Sequence, residues 1–355
     1  MRANPLCGRA WMRDDPGVIG RYRATGADLP FADPRRAHGV AMEGYFWRFT
    51  DARAGRSIIA LCGINRDAAG RTWAIVGLAA HPGGFVRHAI VPTGGAAGRG
   101  LGVWAGDGVF RATEHELHLD LGEDARLDVV LDGVGGWQPG RAFGALGIAH
   151  AVPALGQYWH PHGLRGSATG VAVVDGERIE LDAVRTYGEK NWSHRGFPRE
   201  WWWGQAHCFA GAGDDVCLAF AGGGIRVGGI DLTATAVVVR LGDDVLRFGH
   251  PLLSPVRAVV TDRTWRLVGT SARRTIEVEG WAPDGEAHVL PVPVPDERRA
   301  VAGSLQHFAG RMRVVVRERG SVRFAGESGF AGLETGAQAR AQAELARRGR
   351  AVVAA

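Results

Sequence analysis

The residues best suited to chemistry crowd into one short stretch, 187–209, which reads Tyr-Gly-Glu-Lys-Asn-Trp-Ser-His-Arg-Gly-Phe-Pro-Arg-Glu-Trp-Trp-Trp-Gly-Gln-Ala-His-Cys-Phe. It carries an acid (Glu189), four of the 12 tryptophans and Lys190, the one lysine among 42 basic residues. If the stretch is two extended strands, side chains alternate between faces. Tyr187, Glu189 and Asn191 then share one face, and Lys190 and Trp192 the other. On the next strand Trp201, Trp203, Gln205 and His207 align, with Trp202 behind them. Two indoles, an amide and an imidazole in a row form the wall of a pocket for a partly apolar ligand. The same row also fits a barrel core whose indole N–H groups are satisfied by Gln205. An acid buried among aromatic rings holds its proton at higher pH and can donate it. Lys190 beside the Glu189 carboxyl would work against that, and alternation points it away.

Two further stretches carry candidate groups. Residues 156–165 hold Tyr158, Trp159, His160 and His162. His160-x-His162 has the spacing of metal ligands, but no third ligand is evident nearby, so no metal is expected and loop hydrogen bonding is the plainer reading. Residues 43–49 place Glu43, Tyr45 and Trp47 on one face of a strand, which makes Glu43 a second proton donor to consider, or the solvent-facing end of a first strand. A neutral His160 or His207 could accept a proton. His207 and Cys208, as sequence neighbours on a strand, point apart and make a poor nucleophile pair.

The rest of the chain narrows the classes. A single lysine in Gly-Glu-Lys-Asn removes the phosphate-binding loop and the kinase apparatus, and no G-x-S-x-G, H-E-x-x-H or EF-hand pattern occurs. Residues 98–102 (Gly-Arg-Gly-Leu-Gly) lack the third glycine of a dinucleotide loop. A net charge of +5 over 355 residues, with no basic stripe, argues against nucleic acid. No apolar run is long enough to span a membrane, and the first residues show arginines without an apolar h-region. Four cysteines without a CxxC pair suit a reducing compartment, so the expected location is cytoplasmic, with peripheral membrane contact left open.

The elements that must position these groups are strands. Short apolar runs at 45–49, 57–64, 72–78, 85–91, 116–121, 126–131, 168–174 and 178–186 are separated by glycine-rich turns, and the 54 glycines serve mainly there. More follow at 201–209, 216–221, 232–241, 245–248, 257–261, 264–269, 275–281, 305–308, 312–317 and 321–325, while helical periodicity is confined to 337–347. So many strands exceed one small barrel. The chain reads as all-β: an arm at 1–37, a β-domain at 38–195, a second β-barrel at 196–336 and a basic helical tail at 337–355.

In this order, 43–49, 58–64 (Ile-Ile-Ala-Leu-Cys-Gly-Ile), 158–163, 187–209 and 332–336 (Gly-Leu-Glu-Thr-Gly) resemble the tocopherol cyclase family. Asn191 and Ser193 depart from the Asp and Gly usual in plant-like members. The resemblance implies two lipocalin-like β-domains and cofactor-free closure of a prenylated hydroquinone to a chromanol. It makes Glu189 the first candidate for the acid, with Lys190 beside it. A natural-product pericyclase, an isoprenoid hydratase and a non-catalytic binder of a hydrophobic ligand are the alternatives. In each case the partner is a hydrophobic small molecule, with no obligate protein partner.

Overall fold

The computed structural model describes residues 39–349, apart from 99, 139–143, 152–154, 214, 228–229 and 286. The arm expected at 1–37 and the last six residues of the tail lie outside the described residues.

Twelve strands form the first sheet: β1 (Met42–Asp51), β2 (Arg56–Arg66), β3 (Thr72–His81), β4 (Phe85–Val91), β5 (Gly94–Ala96), β6 (Gly102–Ala105), β7 (Phe110–Thr113), β8 (Glu116–Asp120), β9 (Ala125–Gly135), β10 (Tyr158–Gly163), β11 (Arg165–Val174) and β12 (Glu177–Ser193). They run in the order β4-β3-β2-β1-β12-β11-β9-β8-β7-β6-β5, with β10 also paired to β12. The second sheet holds β13 (Trp201–Ala206), β14 (Val216–Val227), β15 (Ile230–Leu241), β16 (Asp244–Phe248), β17 (Val256–Val260), β18 (Thr264–Thr270), β19 (Arg274–Trp281), β20 (His288–Val294), β21 (Arg299–Glu318) and β22 (Ser321–Gly336). Its order is β16-β15-β14-β13-β22-β21-β19-β18-β17, with β20 on β21. Helix α1 (Gln338–Arg347) follows and packs on β21. This is the all-β, two-barrel class expected. No helix among the described residues is long and apolar enough to cross a membrane.

Turn chemistry sets the hairpins. Asp175 and Gly176 join β11 to β12 with φ of 53° and 79°, and Arg319 and Gly320 join β21 to β22 with 52° and 85°. Positive φ at both central positions matches the right-handed strand twist, and glycine adopts it without steric cost.

Each curled sheet fills its interior with alternate residues. In the first, Tyr45, Trp47 and Phe49 meet Ile58, Leu78 and Leu127. In the second, Phe220, Val237, Trp265, Val314 and Leu333 do the same. A third cluster lies between the sheets, where Trp159 and Tyr187 of the first pack against Trp203, Cys217, Ala219 and Val238 of the second. Strands at this junction are buried on both faces, so their periodicity is blurred. The sequence therefore reads 305–308 and 312–317 as separate strands, although both belong to the 20-residue β21. It reads 158–163 as a loop for the same reason: every residue of β10 is buried. Strands β5 to β7 are only three or four residues long, too short to show a period.

One side chain fastens the sheets. Arg48 leaves the outer face of β1 and is fully buried. It donates to Gln205 Oε1 at 2.8 Å and to the carbonyls of Phe308 and Phe330 at 2.6 and 2.8 Å. Burial lowers its pKa to about 10. Arg48→Met would leave these three buried acceptors without their donor. It is expected to cost about 2–5 kcal/mol, read as a lower urea midpoint.

Candidate active site

The register of β1, β12 and β13 decides which side chains meet. Phe46 lies opposite Glu189, and Tyr45 opposite Lys190, across the β1–β12 pair. Gly44, Phe46, Tyr187, Glu189 and Asn191 therefore leave the first sheet on its outer face. Trp201, Trp203 and Gln205 leave the second sheet toward them, with Trp203 opposite Glu334 on β22. Between the two outer faces lies a largely apolar cavity of about 820 Å³.

Glu189 stands at its wall. One carboxylate oxygen, Oε2, accepts three hydrogen bonds: from Trp159 Nε1 at 2.7 Å, Trp203 Nε1 at 2.8 Å and Tyr187 Oη at 2.5 Å. The donors come from β10, β13 and β12, so both sheets complete this one group. Burial raises the Glu189 pKa, while the three donors pull it down. The same burial, with the Glu189 charge adding to it, holds the Tyr187 hydroxyl well above its ordinary value, so it remains a donor. All three of these donors meet Oε2, and none of them meets Oε1.

A second carboxyl faces the cavity. Trp201 Nε1 donates to Glu334 Oε1 at 2.5 Å. Glu334 is raised to about 7, first by burial and also by the Glu189 charge. The geometry explains the Gly-x-Glu-x-Gly pattern at 332–336. A Cβ at Gly332 would come within 2.9 Å of the Trp203 ring, and one at Gly336 would overlap the Trp201 ring. The two glycines let the two indoles lie over β22 on either side of the carboxyl. In the sequence this segment stands out only by its family resemblance, and its period-2 spacing is the available signal for Glu334.

The remaining candidates divide. Trp159, Glu189, Asn191, Trp201 and Trp203 line the cavity, and Tyr45 reaches its edge. Asn191 accepts from Gln157 Nε2 at 3.3 Å. Glu43, Trp47, Lys190 and Trp192 are not gathered with Glu189: strand alternation turns them into the first barrel. There Lys190 Nζ sits 3.2 Å from Glu43 Oε2, with the rings of Tyr45 and Trp192 at 5.1 and 5.4 Å. Tyr45 donates to the same Glu43 oxygen, and the Gly39 amide donates to the other. Glu43 is thus an ion-pair partner on the far side of the strand from Glu189, and Tyr158 stacks on Trp192 beside it. His160 also turns away from the cavity, accepting from the Ala145 amide and packing against Trp137 and His150.

The expected row on β13 is cut in two. Trp201 and Trp203 border the cavity, but Gln205 is taken up by Arg48 and by Cys217 Sγ. His207 lies past the strand end, lowered by burial to about 3 and so neutral. Trp202 turns into the second barrel and donates to Thr235 Oγ1 at 3.2 Å, yet its edge borders the cavity as well. Among the described residues no three His, Cys, Asp or Glu side chains gather as a metal site needs.

If the two glycines exist to seat the indoles, Gly336→Ala should displace Trp201 and release Glu334 from it. The expected outcome is a shift in indole fluorescence and a loss of about 1–3 kcal/mol on denaturation.

The model of the Tocopherol cyclase-like family matches residues 155–337, which take in β10, β12, β13 and β22. A probable chloroplastic tocopherol cyclase of Oryza sativa subsp. japonica is 41% identical over 78 residues, 22% of this chain and 16% of that protein. The chloroplastic tocopherol cyclase of Zea mays is 35% identical over 108 residues, 30% of this chain and 23% of that one. The matched stretches thus span less than a quarter of either plant protein. Kievitone hydratase from Nectria haematococca has the same fold, with a TM-score of 0.51 over 87% of this chain and 92% of that one, at 12% identity. With the family model matching 183 of its 355 residues, the chain belongs to the tocopherol cyclase-like family.

Proposed function

We propose that the chain is a cofactor-independent cyclase that adds the phenolic O–H of a prenylated phenol or hydroquinone across an alkene of its chain, giving a chromanol-type ring. The observation that carries this reading is the Glu189 carboxyl, buried at the wall of an apolar cavity with one oxygen held by three aromatic donors. Ring closure needs a proton at the less substituted alkene carbon, a way to stabilise the tertiary cation, and a coiled chain that brings the oxygen near it. Glu189 supplies the proton from Oε1. Rings of Phe46, Trp201 and Trp203 face the cavity, and each such face stabilises a cation by about 0.5–2 kcal/mol. Holding oxygen and cation in contact contributes roughly 7–11 kcal/mol. No electrons are transferred, so the reaction requires no redox group.

Because burial raises Glu189, its acid form persists to higher pH than that of an exposed glutamate. The rate constant should fall as pH rises through that raised value. Glu189→Gln keeps an oxygen for the three donors but cannot give a proton. Turnover of a prenylated hydroquinone should drop about 10²–10⁴-fold, while a saturated-chain analogue still binds and the melting temperature holds. Retention of most of the turnover would remove Glu189 from this role.

Access favours a substrate delivered from a lipid surface. Ile148, Leu232 and Leu253 border the cavity, and each is more than 45% exposed, with Leu252 beside them at 87%. Exposed apolar groups gathered at a cavity mouth suit peripheral contact with a bilayer. Leu252→Asp combined with Leu253→Asp should lower co-sedimentation with phosphatidylcholine vesicles without changing the melting temperature.

A further inference from the structure

Alkene protonation settles only half of the proton balance. The phenolic oxygen must lose its own proton as it bonds to the cation, and a single buried acid cannot both give and take at two separated atoms in one step. We infer that Glu334 is the second catalytic group of the cavity, a carboxylate that receives the phenolic proton; this rests on the cyclase reading above.

The placement follows from the strands. Trp201 and Trp203 are two residues apart on β13 and share a face. Trp203 donates to Glu189 and Trp201 donates to Glu334. Each indole thus holds one carboxyl, one from each sheet, and both carboxyls line the same cavity. Glu334 is half-buried, so it is open to the cavity rather than sealed in a core. Around it are the Trp201 indole from β13, Ser304 from β21 and, as its charged neighbour, Glu189 from β12. Gly332 and Gly336 clear the strand on both sides of it for the indoles.

Two carboxyls that feel each other in a dry cavity favour sharing one negative charge. The charge of Glu189 keeps the shared proton mainly on Glu334, and the reactive form is the tautomer that carries it on Glu189 with Glu334 ionised. As the reaction proceeds, the Glu189 O–H bond breaks and a C–H bond forms. The phenolic O–H bond then breaks as the new C–O bond forms, and its proton passes to Glu334. The product is an isomer of the substrate, and no oxidant or reductant enters. Transfer of that proton from Glu334 back to Glu189 after product release restores the reactive form.

The test is binding of two non-reacting probes: a hydroquinone with a saturated alkyl chain, and its methyl ether at the hydroxyl ortho to the chain. Indole fluorescence reports both. Near pH 8.5, above the Glu334 value of about 7, the wild type should bind the free phenol about tenfold more tightly than the ether, because a carboxylate accepts the O–H. The preference should shrink toward about pH 5.5 as Glu334 protonates, a range in which the phenol itself does not titrate. Glu334→Gln should bind both probes alike, and Glu189→Gln should keep the preference. A preference unchanged in Glu334→Gln overturns the proposal and leaves the cyclase reading standing. If that variant does not fold, a wild-type preference that is flat with pH overturns it equally. If neither probe binds the wild type, the cyclase reading falls and the proposal falls with it.

Discussion

A carboxyl group withdrawn from water must be met by donors, or the fold that buries it is destabilised by several kcal/mol. Glu189 is met by two indole N–H groups and a phenol O–H, all on one oxygen. Those donors sit on β10, β12 and β13, which belong to two different sheets. The two barrels must therefore dock in one register for the group to be satisfied, and Arg48, reaching from β1 to the carbonyls of β21 and β22, holds that register. The cavity is the space left between the docked faces. The proposed chemistry rests on the same interaction, since donors that satisfy one oxygen leave the other clear of them.

The opposite face of the same strands carries a separate polar cluster. Lys190 and Glu43 pair inside the first barrel, between the rings of Tyr45 and Trp192. A compact ammonium on a flexible stem fits that space, where a planar guanidinium would need more room and a different set of partners. The lone lysine of the chain is thus explained by packing behind the cavity-facing side of β12. Its cation stays on the far side of β12 from Glu189, which removes the electrostatic conflict that their adjacency in sequence suggests.

Strand content, the all-β class and the face shared by Tyr187, Glu189 and Asn191 were legible because a period of two survives wherever a strand has one buried face. Trp201 and Trp203 were legible as cavity-lining for the same reason. Gln205 and His207 were not separable from them, since alternation tells which face a side chain takes but not where along the strand a partner such as Arg48 claims it. Glu43 looked like an acid among aromatics, and only the register against β12 reveals Lys190 as its partner. Glu334 was hidden by distance, lying 145 positions beyond Glu189 in a segment whose two glycines make sense only once the indoles of β13 lie over them.

The central claim is that a buried carboxyl delivers a proton to one face of a bound alkene. Turnover of a prenylated hydroquinone in deuterium oxide, with the label located by NMR, tests it most directly. A single deuterium at the formerly unsaturated CH carbon, on one face only, is the predicted result. Product formed without deuterium, as a pericyclic closure would give, or with the label spread over both faces, would contradict it.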